Sequence, residues 1–521
     1  MRNLFSILYL ALCLKTTFAQ TAIEWSYNYG GSQFDEAKSV CNSYSSGFII
    51  AGTTASDDGG ITDHHVGSGV NIWIQKISES GLPIWNKIYG GPGIDELGKI
   101  IPTLDYGYIL IGSTTSNGID VSGKHLCADA NYWVVKIDSL GNIQWQNCYG
   151  SCGHDSGIDI IQTADSGYLL SGQITNGGAD ANVFHGFYDI WVCKIDVNGS
   201  QQWDKTLGGT DYDVIYSTLQ MEDGGYLIAG GSASTNFDVT GLHGGEDVWI
   251  VKLDSIGQIE WQKCYGGSGI DFASKILPAS EKGFFVFATT TSIDGDVATS
   301  LGGYDLWLFK CDSSGNIQWQ KTYGGTSHEA MMSAVKDVGG GFLMLGEVFS
   351  DNGMVTNTHG ALDFWVVKSD SIGNFLWGKA LGGSDDDRPK DIIQTGDGGC
   401  LAIGYSRSND GDVPNNWGIE DFWAVKLESP TVGVKEASAT TSSLILFQIQ
   451  SELVLQFFSK TKEVLQMNIY DLNGRLVVSK DLSSVIGENR TGINLENLVS
   501  GIYFISLKGE KNLYNNKFVL N

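Results

Sequence analysis

The chain repeats one pattern seven times, and that repeat decides most of what it can become. The clearest copy is EDVWIVKLDSIGQIEWQKCYGGSGIDFASKI, residues 246–276. It holds a Trp in a short apolar run, a Lys three residues on and an Asp-x-x-Gly turn. A second Trp, Tyr-Gly-Gly and an acid follow. The first Trp recurs at Trp73, Trp133, Trp191, Trp249, Trp307, Trp365 and Trp423. The second recurs at Trp25, Trp85, Trp145, Trp203, Trp261, Trp319 and Trp377. Of the 15 Trp, only Trp417 lies off this lattice.

A period near 60 residues with several strands in each copy indicates a propeller or an array. The fourth full copy predicts strands a to d at 213–220, 226–232, 247–253 and 258–265. Asp and Gly punctuate them, supplying the backbone geometries of tight turns. Runs such as VWIVKL are apolar on both faces, as in a sheet packed between two others. The ends choose between array and ring. The chain opens with a lone strand d, IEWSYNYG (23–30), and the last repeat, ending in DFWAVKLE (421–428), lacks one. Pairing the two removes exposed sheet edges. The expected fold is therefore all-β: a seven-bladed β-propeller over 20–428 with four-stranded blades, the last blade closed by N-terminal strand 23–30.

Residues 1–19 read as a signal peptide, with Arg2, an apolar run and Thr17-Phe18-Ala19 before the cut. Residues 429–442 read as a linker. Residues 443–521 alternate as short strands around a hairpin turn at Asn473-Gly474 and predict a small β-sandwich domain. With 32 basic and 59 acidic residues the net charge is −27. Such a surface argues against nucleic acid and anionic membranes as partners. No stretch is long and apolar enough for a transmembrane helix, and a monomer is expected. Cys127 and Cys152 fall in loops on one face and are the best candidates for a disulfide, with buried free thiols as the alternative.

The segments MNIYDLNGRLVVSKDL (467–482), INLENLVSGIYFISL (493–507) and the closing KFVLN carry a resemblance. In that order and position they resemble the C-terminal sorting domain of type IX secretion cargo in Bacteroidota. The Pro-Asn-Pro element usual in that family is replaced by Phe447-Gln448-Ile449-Gln450. The resemblance implies a partner in type IX-like secretion machinery through 443–521, and a secreted or outer cell-surface location. The repeats resemble DxWVVKLD-type propeller repeats found beside such domains, which implies fold and little else.

Several residues are candidates for chemistry. The acid after Tyr-Gly-Gly recurs as Asp35, Asp95, Asp155, Asp213, Asp271, Glu329 and Asp387. Seven carboxylates near an axis suit Ca²⁺; alternatively each caps its own turn. The b–c loops carry Asp57-Asp58-Gly59, Asp294-Gly295-Asp296 and Asp410-Gly411-Asp412. His185, His243 and His359 sit at one register in them, with His65 and His125 in the longer copies; metal ligation and loop hydrogen bonding are both open. Trp417 sits in that register in the last copy and is a candidate ligand contact. The lattice Trp read as packing between blades. Lys76, Lys136, Lys194, Lys252, Lys310, Lys368 and Lys426 read as structural, stems packed and ammonium groups reaching an acid. No nucleophile elbow, phosphate loop or dinucleotide fingerprint is present.

These residues support a non-enzymatic propeller that binds an extracellular glycan or protein through the b–c loop face, possible cofactor Ca²⁺, with Trp417, Asp410, Asp412, His359, His243 and His185 as contacts. The alternatives are a polysaccharide-acting enzyme using loop carboxylates and a passive surface scaffold.

Overall fold

The computed structural model describes residues 21–61, 69–429, 444–449, 452–459, 461–471, 475–495, 498, 501–509 and 513–520. The expected signal peptide, most of the linker, His65 and the Asn473-Gly474 turn lie outside these residues. The chain divides into two compact units, Met1–Thr431 and Val432–Asn521.

The first unit contains seven four-stranded antiparallel sheets. In blade 4 the strands are Asp213–Gln220 (a), Tyr226–Ser232 (b), Asp247–Leu253 (c) and Ile259–Tyr265 (d). Blades 1 to 6 open at Asp35, Asp95, Ser156, Asp213, Asp271 and Glu329. Blade 7 has Asp387–Gln394, Cys400–Ser406 and Asp421–Leu427, and its fourth strand is Ile23–Tyr29 from the start of the chain. That strand runs antiparallel to strand c, pairing Trp25 with Lys426 and Tyr29 with Phe422. Each strand a neighbours those of the two adjacent blades, including blade 7 against blade 1. The a strands therefore line the axis. One core cluster joins Leu401, Ile403 and Phe422 of blade 7 to Ala37, Ile50 and Trp73 of blade 1.

The repeat residues hold the blades together. All seven strand-c Trp are at most 1% exposed. The strand-d Trp are different: six are half-buried and only Trp377 is fully covered. They sit on the outer strand and pack on the next blade. The Trp203 ring lies 5.9 Å from that of Tyr226, and a Cβ on Gly257 would stand 2.8 Å from Trp203. Gly257 has φ +82° in the c–d turn, where only Gly combines that dihedral with so close a ring. The Tyr of Tyr-Gly-Gly also reaches across the joint. Tyr29, Tyr89, Tyr265 and Tyr323 each donate to the carbonyl of that turn glycine at 2.6–2.7 Å.

The repeated Lys closes the other end of the blade. Lys136, Lys194 and Lys368 meet the a–b turn acids Asp105, Asp165 and Asp337 at 2.8–2.9 Å. Burial pushes Asp165 up, but Thr163 and Lys194 outweigh it and hold its pKa at about 2. Cys127 and Cys152 are bonded, tying the b–c loop of blade 2 to the segment entering blade 3. Mass spectrometry of a non-reduced digest is expected to recover them as one linked peptide; two free thiol peptides would contradict this. The other cysteines of the described residues are free.

In the second unit, one sheet orders Leu444–Ile449, Glu452–Ser459 and Gly487–Asn494. The other orders Leu476–Ser483, Val464–Asp471, Gly501–Lys508 and Leu513–Leu520. Leu453, Leu455 and Ile493 of the first share a core with Met467, Ile469, Tyr503 and Ile505 of the second. Gly487–Asn494, GENRTGIN, is a strand that its polar sequence does not announce. Among the described residues no helix is long and apolar enough to cross a membrane.

Candidate ligand-binding face

The seven acids after Tyr-Gly-Gly are fully buried, one in each joint between blades. Asp213 accepts from Gly209 N at 2.7 Å, Ser234 Oγ at 2.9 Å and the Ser232 hydroxyl. Asp35 and Asp387 repeat this with Gly31, Thr54 and Ser56, and with Gly383, Ser406 and Ser408. Asp95 and Asp271 do likewise; Asp155 is held by Ser151 and Glu329 by Gly325. Burial raises the pKa of Asp35, Asp155, Asp213, Glu329 and Asp387. Each carboxylate thus accepts from its own turn, and Asp35, Asp95, Asp213, Asp271 and Asp387 also from the last hydroxyl of strand b. The seven do not converge. Among the described residues no three His, Cys, Asp or Glu are placed to hold a metal ion.

The loop candidates also serve local geometry. Asp58, Asp294 and Asp410 accept the backbone N–H of Ser32, Ser268 and Ser384 at 2.6–2.7 Å, clamping the loop to the turn that enters its own blade. His185, His243 and His359 each set Nδ1 against the Asp four residues on, at 3.4, 2.7 and 3.7 Å. His359 Nε2 stands 4.0 Å from Asp412. The three histidines belong to three blades and do not share a site. His125 pairs with Asp180 at 3.4 Å.

What breaks the repeat on this face is aromatic. Trp417 is 66% exposed. It borders a cavity of about 260 Å³ between blades 7 and 1, lined also by Asn28, Gly60, Trp73, Gln75 and Asn86. In three other blades a Gln follows the second Trp and accepts the strand-c indole N–H, as Gln146 does from Trp133 at 2.8 Å. Asn86 is one carbon shorter and donates to Gly60 O at 3.1 Å instead. The Trp73 indole N–H, Asn86 Oδ1 and both polar atoms of the Asn28 side chain have no partner among the described residues.

A second aromatic group lies at the joint of blades 3 and 4. Phe187 stacks on Tyr212 with ring centroids 5.5 Å apart and planes 7° apart, and Tyr188 stacks on Tyr212 at 5.5 Å. Phe187 and Phe237 are 65% and 64% exposed. Phe237 lies 4.6 Å from the His185 ring and has φ +53°. The same loop position in blades 1, 5, 6 and 7 is Gly59, Gly295, Gly353 and Gly411, all at positive φ. A bulky residue held there is strained by about 1 kcal/mol or more. The sequence does not mark this group, because its signal is exposure and not residue type.

The axis carries a third departure. Four residues into successive a strands stand Ser39, Lys99, Asp159, Ser217, Lys275, Ser333 and Asp391, two positive and two negative groups. Lys99 meets Asp159 at 3.8 Å, and Ser333 donates to Asp391 at 2.8 Å. Lys99 and burial depress the pKa of Lys275. The two positive and two negative groups balance within this one layer of the ring.

Residues 447–521 match the family model described as a secretion system C-terminal sorting domain. The chain is thus an all-β propeller protein with a tail that directs export to a secreted or cell-surface location. No curated protein matches the chain. Among solved structures it is similar to the Neurospora crassa Pan2 WD40 domain, at 11% identity, TM-score 0.41, covering 74% of this chain and 88% of that one. It is similar to BBS1N in complex with ARL6DN, at 8% identity and TM-score 0.41, covering 78% and 96%. It is also similar to puromycin hydrolase, at 9% identity and TM-score 0.45, covering 83% of this chain and 61% of that one.

Proposed function

We propose that this protein is a non-enzymatic binding propeller, exported by type IX-like machinery of a Bacteroidota cell, that holds a neutral extracellular glycan on its b–c loop face. The observation that carries this reading is the off-repeat aromatic surface of Phe187, Tyr188, Tyr212 and Phe237, with Trp417 beside a cavity of its own. Aromatic rings offer flat apolar faces with polar edges, the match for a sugar ring and its hydroxyl rim. Phe237 supports it further, as the one aromatic among the three side chains, with Ile119 and Ala179, held at positive φ in this loop position. The net charge of −27 favours neutral over anionic polymers. The repeated acids are engaged in turns, which leaves the aromatic groups as the distinctive chemistry of the face.

The full chain is to be tested on an array of neutral hexose oligosaccharides, with release of reducing ends followed in parallel. Retention without release is expected. Release of reducing ends would replace the reading with an enzyme, and a blank array would remove the glycan. A further expectation separates use from folding. Phe237→Gly should stabilise the protein by about 1 kcal/mol while weakening retention. A Phe237→Gly protein that is no more stable would contradict the strain argument.

A further inference from the structure

The first residue of strand c is Asp189, Asp247, Asp305, Asp363 and Asp421 in blades 3 to 7, and Asn71 and Asn131 in blades 1 and 2. All seven are unexposed. One side-chain atom does the same work in each type. Oδ1 of Asn131 accepts from His125 N at 2.8 Å, and Oδ2 of the aspartates accepts from His185, His243, Leu301, His359 and Trp417 N at 2.5–2.8 Å. The other atom differs. Asn131 Nδ2 donates to Asp155 Oδ2 at 3.1 Å and Ser151 O at 3.3 Å. Asn71 Nδ2 faces Asp95 Oδ2 at 3.5 Å and Gly91 O at 3.4 Å.

Where the asparagines place an N–H, the aspartates place an oxygen. All five Oδ1 atoms lack a partner among the described residues. In four joints one glycine lies against both this oxygen and the acid of the next joint, and in the fifth Asp247 feels the charge of Asp271. A Cβ on Gly208 would lie 2.7 Å from both Asp189 Oδ1 and Asp213 Oδ2, and one on Gly324 2.5 and 2.6 Å from Asp305 Oδ1 and Glu329 Oε2. Gly30 and Gly382 stand in the same way between Asp421 and Asp35 and between Asp363 and Asp387. Two buried carboxylates facing one glycine repel each other, and without a cation one of them is driven towards its protonated form. The asparagines show that a hydrogen fits there.

We propose that each of these five joints is a proton-binding site, one proton shared between Asp189 and Asp213, Asp247 and Asp271, Asp305 and Glu329, Asp363 and Asp387, or Asp421 and Asp35. The proton turns one oxygen into the donor that Asn supplies in the other two joints. A metal ion is the poorer occupant, because two carboxylate oxygens and a carbonyl fall short of the six to eight ligands Ca²⁺ takes. Other charged groups face these pairs. His185, His243 and His359 flank three of the aspartates, Asp412 neighbours Asp363, Glu246 neighbours Asp213 and Asp271, Asp211 neighbours Asp213, and Asp58 neighbours Asp35. Leu301 and Trp417 stand in place of His beside Asp305 and Asp421. Burial first, then the neighbouring acids, push Asp421 up to about 7 and Asp363 up to about 6.

The folded joints therefore keep protons that the unfolded chain releases near pH 4. Folded protein binds more protons than unfolded between about pH 4 and 7, so stability falls as pH rises through that window. The test is thermal melting of the full chain and of D421N and D305N at pH 5 and pH 8. Wild type is expected to melt higher at pH 5. At pH 8 each variant should exceed wild type by about 3–5 °C, with a gap of about 1 °C or less at pH 5. The Asn shape already occurs at two joints, so these variants are expected to fold. Equal shifts at both pH values, or variants that melt lower at both, would overturn the proposal. Melts in EDTA and in millimolar Ca²⁺ complete the test. A wild-type rise with Ca²⁺ that D421N loses would assign the site to a metal ion and overturn the proton.

Discussion

Removing residues 20–31 is expected to lower the melting temperature by on the order of 10 °C or more, or to leave the protein insoluble. The deletion takes the fourth strand from blade 7 and exposes the edge of Asp421–Leu427, a ready template for aggregation. It removes Ser26, which accepts the Trp423 indole N–H at 2.9 Å, and Glu24, which pairs with Lys426. It also removes Gly31, whose N–H is held by Asp35 at 2.8 Å. Blades 7 and 1 lose their joint together. A shortened chain that stays soluble and melts within about 2 °C of the full one would show that the first strand does not complete the ring.

The second large effect is expected at the strand-c tryptophans. Trp249 is 1% exposed, donates to Gln262 at 2.8 Å and shares a core with Ile190 and Val192 of blade 3. Trp249→Ala should cost about 3–5 kcal/mol, the range for large aromatics deleted from a core. Trp417→Ala should fall within about 0.5 kcal/mol of wild type, as at an exposed site. Denaturant unfolding of both variants checks the contrast. A Trp249 variant as stable as the Trp417 variant would mean that the lattice tryptophans do not carry the packing.

Much of this architecture could be read directly from residues. Trp and Tyr-Gly-Gly at a fixed period forced four-stranded units, and the spare strand at one end answered the gap at the other. The repeated Lys was legible because a mid-strand cation needs an acid, and the a–b turns supply one. The chemistry of the joints was harder to see. The acids after Tyr-Gly-Gly drew attention as a ring around one axis, yet each is turned into its own joint, where a backbone N–H and hydroxyls occupy it. The first residue of strand c gives no signal in sequence because it is Asp in five copies and Asn in two. Its meaning appears only when both atoms of the side chain are traced to their neighbours. The axial residues escaped for a related reason. Ser39, Lys99, Asp159, Ser217, Lys275, Ser333 and Asp391 share a position without sharing a chemistry, and only the ring makes them one set. Phe187 and Tyr212 look like ordinary strand-flanking aromatics until their exposure is known. Trp417 could be singled out because it alone left the lattice.

The most direct test of the account compares the full chain with Phe187→Ala/Tyr212→Ala and with Trp417→Ala on one array of neutral hexose oligosaccharides, with melting temperatures taken alongside. Retention is expected to weaken at least about tenfold in one or both variants, with melting within about 2 °C of wild type. Undiminished retention by both variants, folded as wild type, would contradict it and move the binding function off the aromatic face.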